Sequence, residues 1–463
     1  MRYAAATIFS AAMLFFATAE AQQPPSAFTG LRPAAQATLA QRALIDTLRS
    51  QRGAGAIHIA RIVPQVLRGA GVGQSVQFNV ALNTIVLARA VAVEMQDGRL
   101  LWRGEVAAPT ASMPPGMATL VVSGDNVTGS IRTADGRMYR LRPLGGGETA
   151  IIQLDYATMP PDHPPDASTG AAPAQGQAQP RAAVKPGAMR GGQQGVALDA
   201  STVAARLKGN QQLLQAATDV RPVSLAERYR LRGDWWRYLV PPTIDVLVAY
   251  TPSAQAAAGD IGSLISLAVT ETNDSFTNSN VWAQLRLVGT MPVTYNESGR
   301  TFEQMTAQLA GTSDGFMDNV HAQRDALHAD IVVLIVNNGA YCGCADAIGA
   351  TPETAFVVVH WGCATGYYSF GHEIGHLLGA RHDRDDDATA TPFGWGHGYR
   401  HLAAGAGWRT IMSYNCPANQ CAPRLQYWSS PLTTWGGFAM GTATLEDNHR
   451  VWNERAATVA AFR

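Results

Sequence analysis

The 463-residue chain carries 35 basic and 35 acidic side chains, so its formal charge at neutral pH is zero, and 46% of its residues are hydrophobic. That length and apolar content suit two or three folded domains. With no net charge and no dense Lys/Arg block, nucleic acid and anionic membrane are not expected partners.

At the N-terminus, Arg2 precedes an apolar run over residues 4–17, and Ala19-Glu20-Ala21 offers a small-x-small cleavage site. Residues 1–21 read as a secretory signal peptide, cut after Ala21. The apolar run is shorter than the ~20 residues that span a bilayer, and no second run approaches that length. The expectation is an exported soluble protein, extracellular or periplasmic, monomeric and free of the membrane once the signal is removed.

Residues 22–156 read as a β-rich unit. Alternating runs at 74–81, 84–95, 100–107, 118–123, 127–133 and 138–144 predict strands, and Asp135-Gly136 between the last two predicts a tight hairpin. An antiparallel meander or small sandwich follows. Residues 157–240 turn to Pro, Gly, Gln and Ala and read as a flexible linker with an activation segment. Residues 241–463 read as an α/β unit. Strands are expected at 244–250, 285–289, 329–336 and 354–359, with helices at 253–277, 314–328 and 446–462. The loop 341–350 is either an edge strand on which a peptide can pair its backbone or an ordinary surface loop.

The chemistry concentrates in His372-Glu373-Ile374-Gly375-His376-Leu377-Leu378-Gly379-Ala380-Arg381-His382. On a helix His372 and His376 leave the same face one turn apart, a spacing at which two neutral imidazoles can bind one Zn²⁺. Glu373, beside the first ligand, stands where a general base is needed. On an unbroken helix His382 would lie ~9 Å beyond His376. Gly379 can take the left-handed conformation that ends a helix and turns the chain back, bringing His382 to the metal. Only 11 histidines occur in the chain, and three fall in this register. Phe370, Ile374, Leu377 and Leu378 form an apolar stripe, leaving the His/Glu face to a cleft.

This motif, followed by Thr410-Ile411-Met412-Ser413-Tyr414, resembles the metzincin zinc metallopeptidases. Asp383 after the third histidine resembles the reprolysin branch. The stretches 244–252 and 447–454 are most similar to the bacterial peptidyl-Asp metallopeptidases. The resemblance covers about the last half of the chain. It implies a metzincin-type α/β domain, a mixed sheet with a zinc helix and a Met-turn, preceded by a β-rich prodomain. It further implies one catalytic zinc on His372, His376 and His382, Glu373 as base, and Met412 as the turn methionine. Tyr414 departs from the reprolysins and is similar to the tyrosine that reaches the metal in astacins and serralysins. A catalytic role for it is therefore expected. The resemblance also implies cleavage on the amino side of Asp, and an acidic side chain in a pocket calls for an arginine. Arg424 and Arg409 flank the Met-turn and are the candidates, Arg424 being favoured because a loop staked by Cys416–Cys421 would hold it in place, with Arg381 on the zinc loop a weaker one.

All five cysteines lie in the last third, and an exported chain favours disulfides. Cys416–Cys421 is the expected short loop, and Cys363 is expected to pair with Cys342 or Cys344. No cysteine precedes Cys342, so a cysteine cannot mask the metal from the N-terminal side. The stretch Met159-Pro160-Pro161-Asp162-His163-Pro164-Pro165-Asp166 offers Asp162, His163 or Asp166 for that position, or else a Pro-rich hinge. The functional expectation is a secreted zinc endopeptidase acting on proteins or peptides. The alternatives are a non-catalytic zinc-stabilised binding or adhesion protein, for which Glu373 has no use, and a small-molecule amidase.

Overall fold

The computed structural model describes residues 23–108, 114–163, 240–403, 405–416 and 423–463. The expected signal peptide, residues 164–239 of the expected linker (with Asp166), and Cys421 lie outside the described residues.

The N-terminal unit is one antiparallel sheet. Its strands are β1 (Phe28–Pro33), β2 (Ala54–Ile62), β3 (Ser75–Ala81), β4 (Thr84–Gln96), β5 (Arg99–Val106), β6 (Gly116–Ser123), β7 (Asn126–Arg132), β8 (Met138–Gly145) and β9 (Glu148–Leu154). They lie in the order β1-β2-β9-β8-β7-β6-β5-β4-β3. The six predicted runs are β3 to β8, each within two residues at either end. Helices α1 (Leu39–Ser50) and α2 (Pro64–Gly69) interrupt the start of the sheet and were not expected. Strands β1, β2 and β9 were also missed. In β9 the reason is that Ala150, Ile151 and Ile152 follow one another, so apolar side chains face both sides and no polar alternation remains. Ala150 and Ile152 enter the core shared with the C-terminal unit, while Ile151 points into the sheet's own core around Phe78 and Trp102. The Asp135-Gly136 turn is longer than the tight hairpin expected, spanning residues 133–137 between β7 and β8, with Gly136 at φ 85°.

The C-terminal unit runs β10 (Thr243–Tyr250), α3 (Pro252–Ala258), α4 (Ile261–Asn278), β11 (Gln284–Pro292), α5 (Phe302–Ala310), α6 (Asn319–Ala326), β12 (Ile331–Val336), β13 (Gly343–Ala345), β14 (Phe356–His360), α7 (Trp361–Ala364) and α8 (Ser369–Leu378). Short strands β15 (Arg400–His401), β16 (Trp408–Arg409), β17 (Ser430–Trp435) and β18 (Phe438–Met440) lead to the closing helix α9 (Asn448–Val459). The main sheet is mixed, in the order β11-β10-β12-β14-β13. Strands β11, β10, β12 and β14 are parallel, and β13 is an antiparallel edge. Loop 341–350 therefore does supply an edge strand. The helix expected at 253–277 is two, because Gly259 (φ 74°) breaks it and Asp260 caps the second by accepting from the Ser263 N–H. Helix α5 was not expected, and the predicted 314–328 helix shortens to α6.

Polar contacts join the two units. Arg103 pairs with Asp274 of α4 at 2.9 Å, Ser130 donates to Glu271 at 2.5 Å, and Arg142 donates to Thr365 at 2.7 Å. Burial pushes the Glu271 carboxyl up to about 7. One disulfide, Cys342–Cys363, ties the approach to β13 to α7. Cys342 shares a core with Cys363, whereas the free thiol of Cys344 is buried in the core on the other side of the sheet. Cys416 is also disulfide-bonded, and its expected partner lies outside the described residues.

Candidate active site

Helix α8 carries the motif, and every one of its residues is buried. Phe370, Ile374, Leu377 and Leu378 join the main core, as the apolar stripe requires. The helix stops at Gly379, which adopts φ 107° and ψ 7°. The Ala380 N–H then reaches back to the Gly375 carbonyl at 3.0 Å. This is the left-handed reversal anticipated for a motif glycine. It carries His382 to within 3.0 Å of His376, Nε2 to Nε2, and within 3.3 Å of His372.

The turn at Thr410–Tyr414 packs beneath this helix. A β-carbon at Gly375 would meet Trp428 at 2.8 Å and the Met412 sulfur at 3.0 Å, so Met412 lies directly under the motif. The Ile411 carbonyl of the same turn accepts a hydrogen bond from His372 Nδ1 at 2.8 Å, and the Ala380 carbonyl accepts one from His376 Nδ1 at 2.8 Å. Each bond selects the tautomer whose Nε2 lone pair faces the other rings. Asp383 braces the same region. Its carboxylate accepts the Tyr414 backbone N–H at 3.0 Å and pairs with Arg400 at 2.7 Å. The Tyr414 ring lies over His382, with centroids 4.0 Å apart.

A fourth imidazole completes the group. His163 Nε2 lies 3.0 Å from His372 Nε2 and 3.1 Å from His376 Nε2. His372 and His376 Nε2 are 3.2 Å apart. The contact between His372 and His376 is not a hydrogen bond, because both Nδ1 atoms already hold their protons on carbonyls. Nitrogen lone pairs that converge repel one another unless a cation sits between them. Ligands at ~2.0–2.1 Å in a tetrahedron stand about 3.3 Å apart, close to the spacings found. Burial keeps all four rings neutral: it lowers His163 to about 3 and holds His372, His376 and His382 well below the ordinary range. Neutral imidazole is the ligating form. The donor set fits zinc, and these four are the grouped His/Cys/Asp/Glu side chains that suit a metal among the described residues.

Glu373 is fully buried, and neither carboxylate oxygen accepts a hydrogen bond. His163 Nε2 is 3.5 Å from its Oε1. Burial first, and then the nearby Asp162 carboxylate, push its pKa well up, opposed by Arg424. A buried carboxylate without a protein hydrogen-bond partner is costly. The edge strand leaves room for it only at Gly343, where any β-carbon would collide with the Glu373 carboxylate. That residue was missed in the sequence, although a glycine inside a strand signals close approach.

The two candidate pocket arginines part company. Arg424 is completely buried, its guanidinium 4.1 Å over the Tyr367 ring, donating to the Tyr367 and Ser413 carbonyls at 3.2 and 3.0 Å. Its Nη2 also donates to Asp162 at 2.5 Å. Arg409 donates to the Ser413 carbonyl and to the Tyr367 hydroxyl, 3.2 and 3.1 Å away. Its backbone brackets that of Arg424 in a short parallel bridge. Arg381 pairs with Asp387 at 2.7 Å. Tyr367, which sequence reasoning did not single out, is the ring over which both Arg424 and Arg409 lie. Residues 159–163, expected to belong to the linker, instead lie in the cleft, and the His/Glu face of α8 is covered rather than open.

Residues 240–429 match the model of the reprolysin-like proteins described as metallo-peptidase family M12. The chain is 38% identical over 399 residues to a protein named peptidyl-Asp metalloendopeptidase from Stenotrophomonas maltophilia, covering 84% of this chain and 82% of that one. A protein of the same name from Xanthomonas campestris pv. campestris is 37% identical, over 82% of this chain and 80% of its own. A third, from Pseudomonas fragi, is 39% identical over 42% of this chain and the whole of its own. No helix among the described residues is long and apolar enough to cross a membrane. The chain is a zinc metalloendopeptidase acting on proteins or peptides, and it belongs to the reprolysin-like metallopeptidases together with these bacterial peptidyl-Asp metalloendopeptidases.

Proposed function

We propose that the chain is an exported endopeptidase that cuts on the amino side of Asp, with Glu373 as its general base. His372, His376 and His382 would hold the zinc, which supplies a Lewis acid for the scissile carbonyl and for water. Glu373 takes the proton of the attacking water and passes it to the leaving amine. The β13 edge offers backbone N–H groups that align an extended peptide. The observation that carries the Asp preference is the Arg424–Asp162 pair, in which both side chains are almost wholly buried. A buried guanidinium needs an anion, and an acidic substrate side chain is one.

Residues 1–21 act as a signal peptide, and the β-rich unit is a prodomain lost on maturation. Cuts fall in the linker or at 221–239, where Asp234 suits self-cleavage. The names of the relatives, the export-type N-terminus and the composition of the linker support this reading. The test is to purify the active form from culture medium, read its N-terminus and digest a peptide library with and without chelator. The expected form begins after residue 163, is silenced by chelator and leaves products that begin with Asp. An active form beginning at Gln22, or products without acidic first residues, would refute the corresponding half.

Tyr414 is proposed to donate its hydroxyl to the oxyanion as it forms. Tyr414→Phe should then lower kcat on the order of 10²-fold with little change in KM. Unchanged kinetics would reduce the ring to a packing partner of His382.

A further inference from the structure

We propose that residues 159–163 are a two-point plug made in the image of a substrate, with Asp162 filling the acidic pocket at Arg424 and His163 taking the fourth position around the metal. This rests on the peptidyl-Asp reading of that pocket. Three contacts place the segment. The Cys342 and Gly343 N–H groups, at the start of the edge strand, donate to the Pro161 and Asp162 carbonyls at 2.9 and 3.0 Å. The Asp162 carboxylate meets Arg424 at 2.5 Å, with 4% and 0% of the two side chains exposed. One residue later, His163 Nε2 stands 3.0–3.1 Å from two of the three motif nitrogens.

The geometry distinguishes a plug from a substrate. A peptide bound for cleavage must leave the fourth metal position to the reacting water and carbonyl. Here a neutral nitrogen, a good zinc ligand, fills it and stands beside Glu373 at 3.5 Å. The bond ahead of the anchoring aspartate, Pro161–Asp162, is therefore held in the cleft but not attacked. Asp162 supplies affinity through the same arginine that would select substrates, and His163 supplies latency. The anchor is backed by the whole N-terminal sheet. Residues 156–158 form a short turn directly after β9, and the Tyr156 carbonyl accepts from Asn415 at 2.9 Å beside the Met-turn. The segment is therefore delivered from a folded unit at little additional entropic cost. Once the linker is cut and that unit dissociates, the plug leaves with it.

The test uses the full-length chain, kept intact by Glu373→Gln and loaded with Co²⁺ in place of zinc. Its visible absorption and X-ray absorption should report four imidazole nitrogens. His163→Ala in that background should shift the visible bands and leave three imidazoles plus a lighter ligand. Identical spectra would overturn the metal half of the proposal. In the otherwise wild-type full chain, uncleaved His163→Ala, Asp162→Ala and the isosteric Asp162→Asn should each hydrolyse a short Asp-containing peptide faster, by at least on the order of 10-fold. Circular dichroism would identify any variant that fails to fold. Unchanged latency in folded Asp162→Asn would overturn the anchor. Failure of the specificity reading is separable: matured wild-type enzyme would then cut Asp and Ala peptides alike, while the cobalt spectra would still decide whether His163 is a ligand.

Discussion

Replacing Glu373 by Ala should abolish turnover while leaving zinc in place. General acid–base groups contribute up to on the order of 10⁴-fold, and the matured Glu373→Ala enzyme should fall by about that factor at unchanged zinc content. The expectation follows from the site's geometry. The Glu373 side chain makes no hydrogen bond that holds the helix together, and its carboxylate is packed against Gly343. Removing it should therefore not disturb His372 or His376, whose orientation comes from the Ile411 and Ala380 carbonyls. His376→Ala should behave differently and lose metal as well as activity, since it removes one ligand outright. Kinetics on a fluorogenic peptide, paired with elemental analysis, separates the two outcomes. Substantial peptidase activity in pure Glu373→Ala would remove it from the role of base.

The second large effect is expected at Arg424. Breaking a fully buried charge pair costs about 3–5 kcal/mol, or on the order of 10²–10³-fold in a binding constant. In the matured enzyme, Arg424→Ala should lose kcat/KM of that order on a peptide with Asp after the scissile bond. A matched peptide with Ala there never used the charge and should change little. Arg424→Lys should fall between, because lysine keeps the charge but cannot donate at once to the carboxylate and to the Tyr367 and Ser413 carbonyls. Equal loss on both peptides would mean that Arg424 supports the Met-turn rather than reading the substrate.

The histidines that could hold a metal were legible because their spacing is local. Helical geometry places His372 beside His376, and one glycine suffices to bring His382 back, so no distant residue had to be known. The six regular strands β3 to β8 were legible for a similar reason, since polar and apolar side chains alternate along them, even where Thr128, Ser130, Arg132, Arg140 and Arg142 are buried. Strand β9 was not, because Ala150, Ile151 and Ile152 turn apolar side chains to both faces in succession and erase that period. Gly343, Tyr367 and the buried partner of Arg424 were also hidden. Each acquires its role from a neighbour far away in the chain: Glu373 under the edge strand, two arginines over one phenol ring, Asp162 from the other unit. The stretch around His163 could be marked as chemically able to reach a metal, but its Pro-rich composition favoured a hinge. What decided its position was packing, in which the β-rich sheet docks on α4 and carries residues 159–163 into the cleft. Local sequence determined which side chains could bind zinc and move a proton. Only the tertiary structure decided which residues face them, because burial and charge pairing depend on what lies across the cleft and not on what is adjacent in the chain.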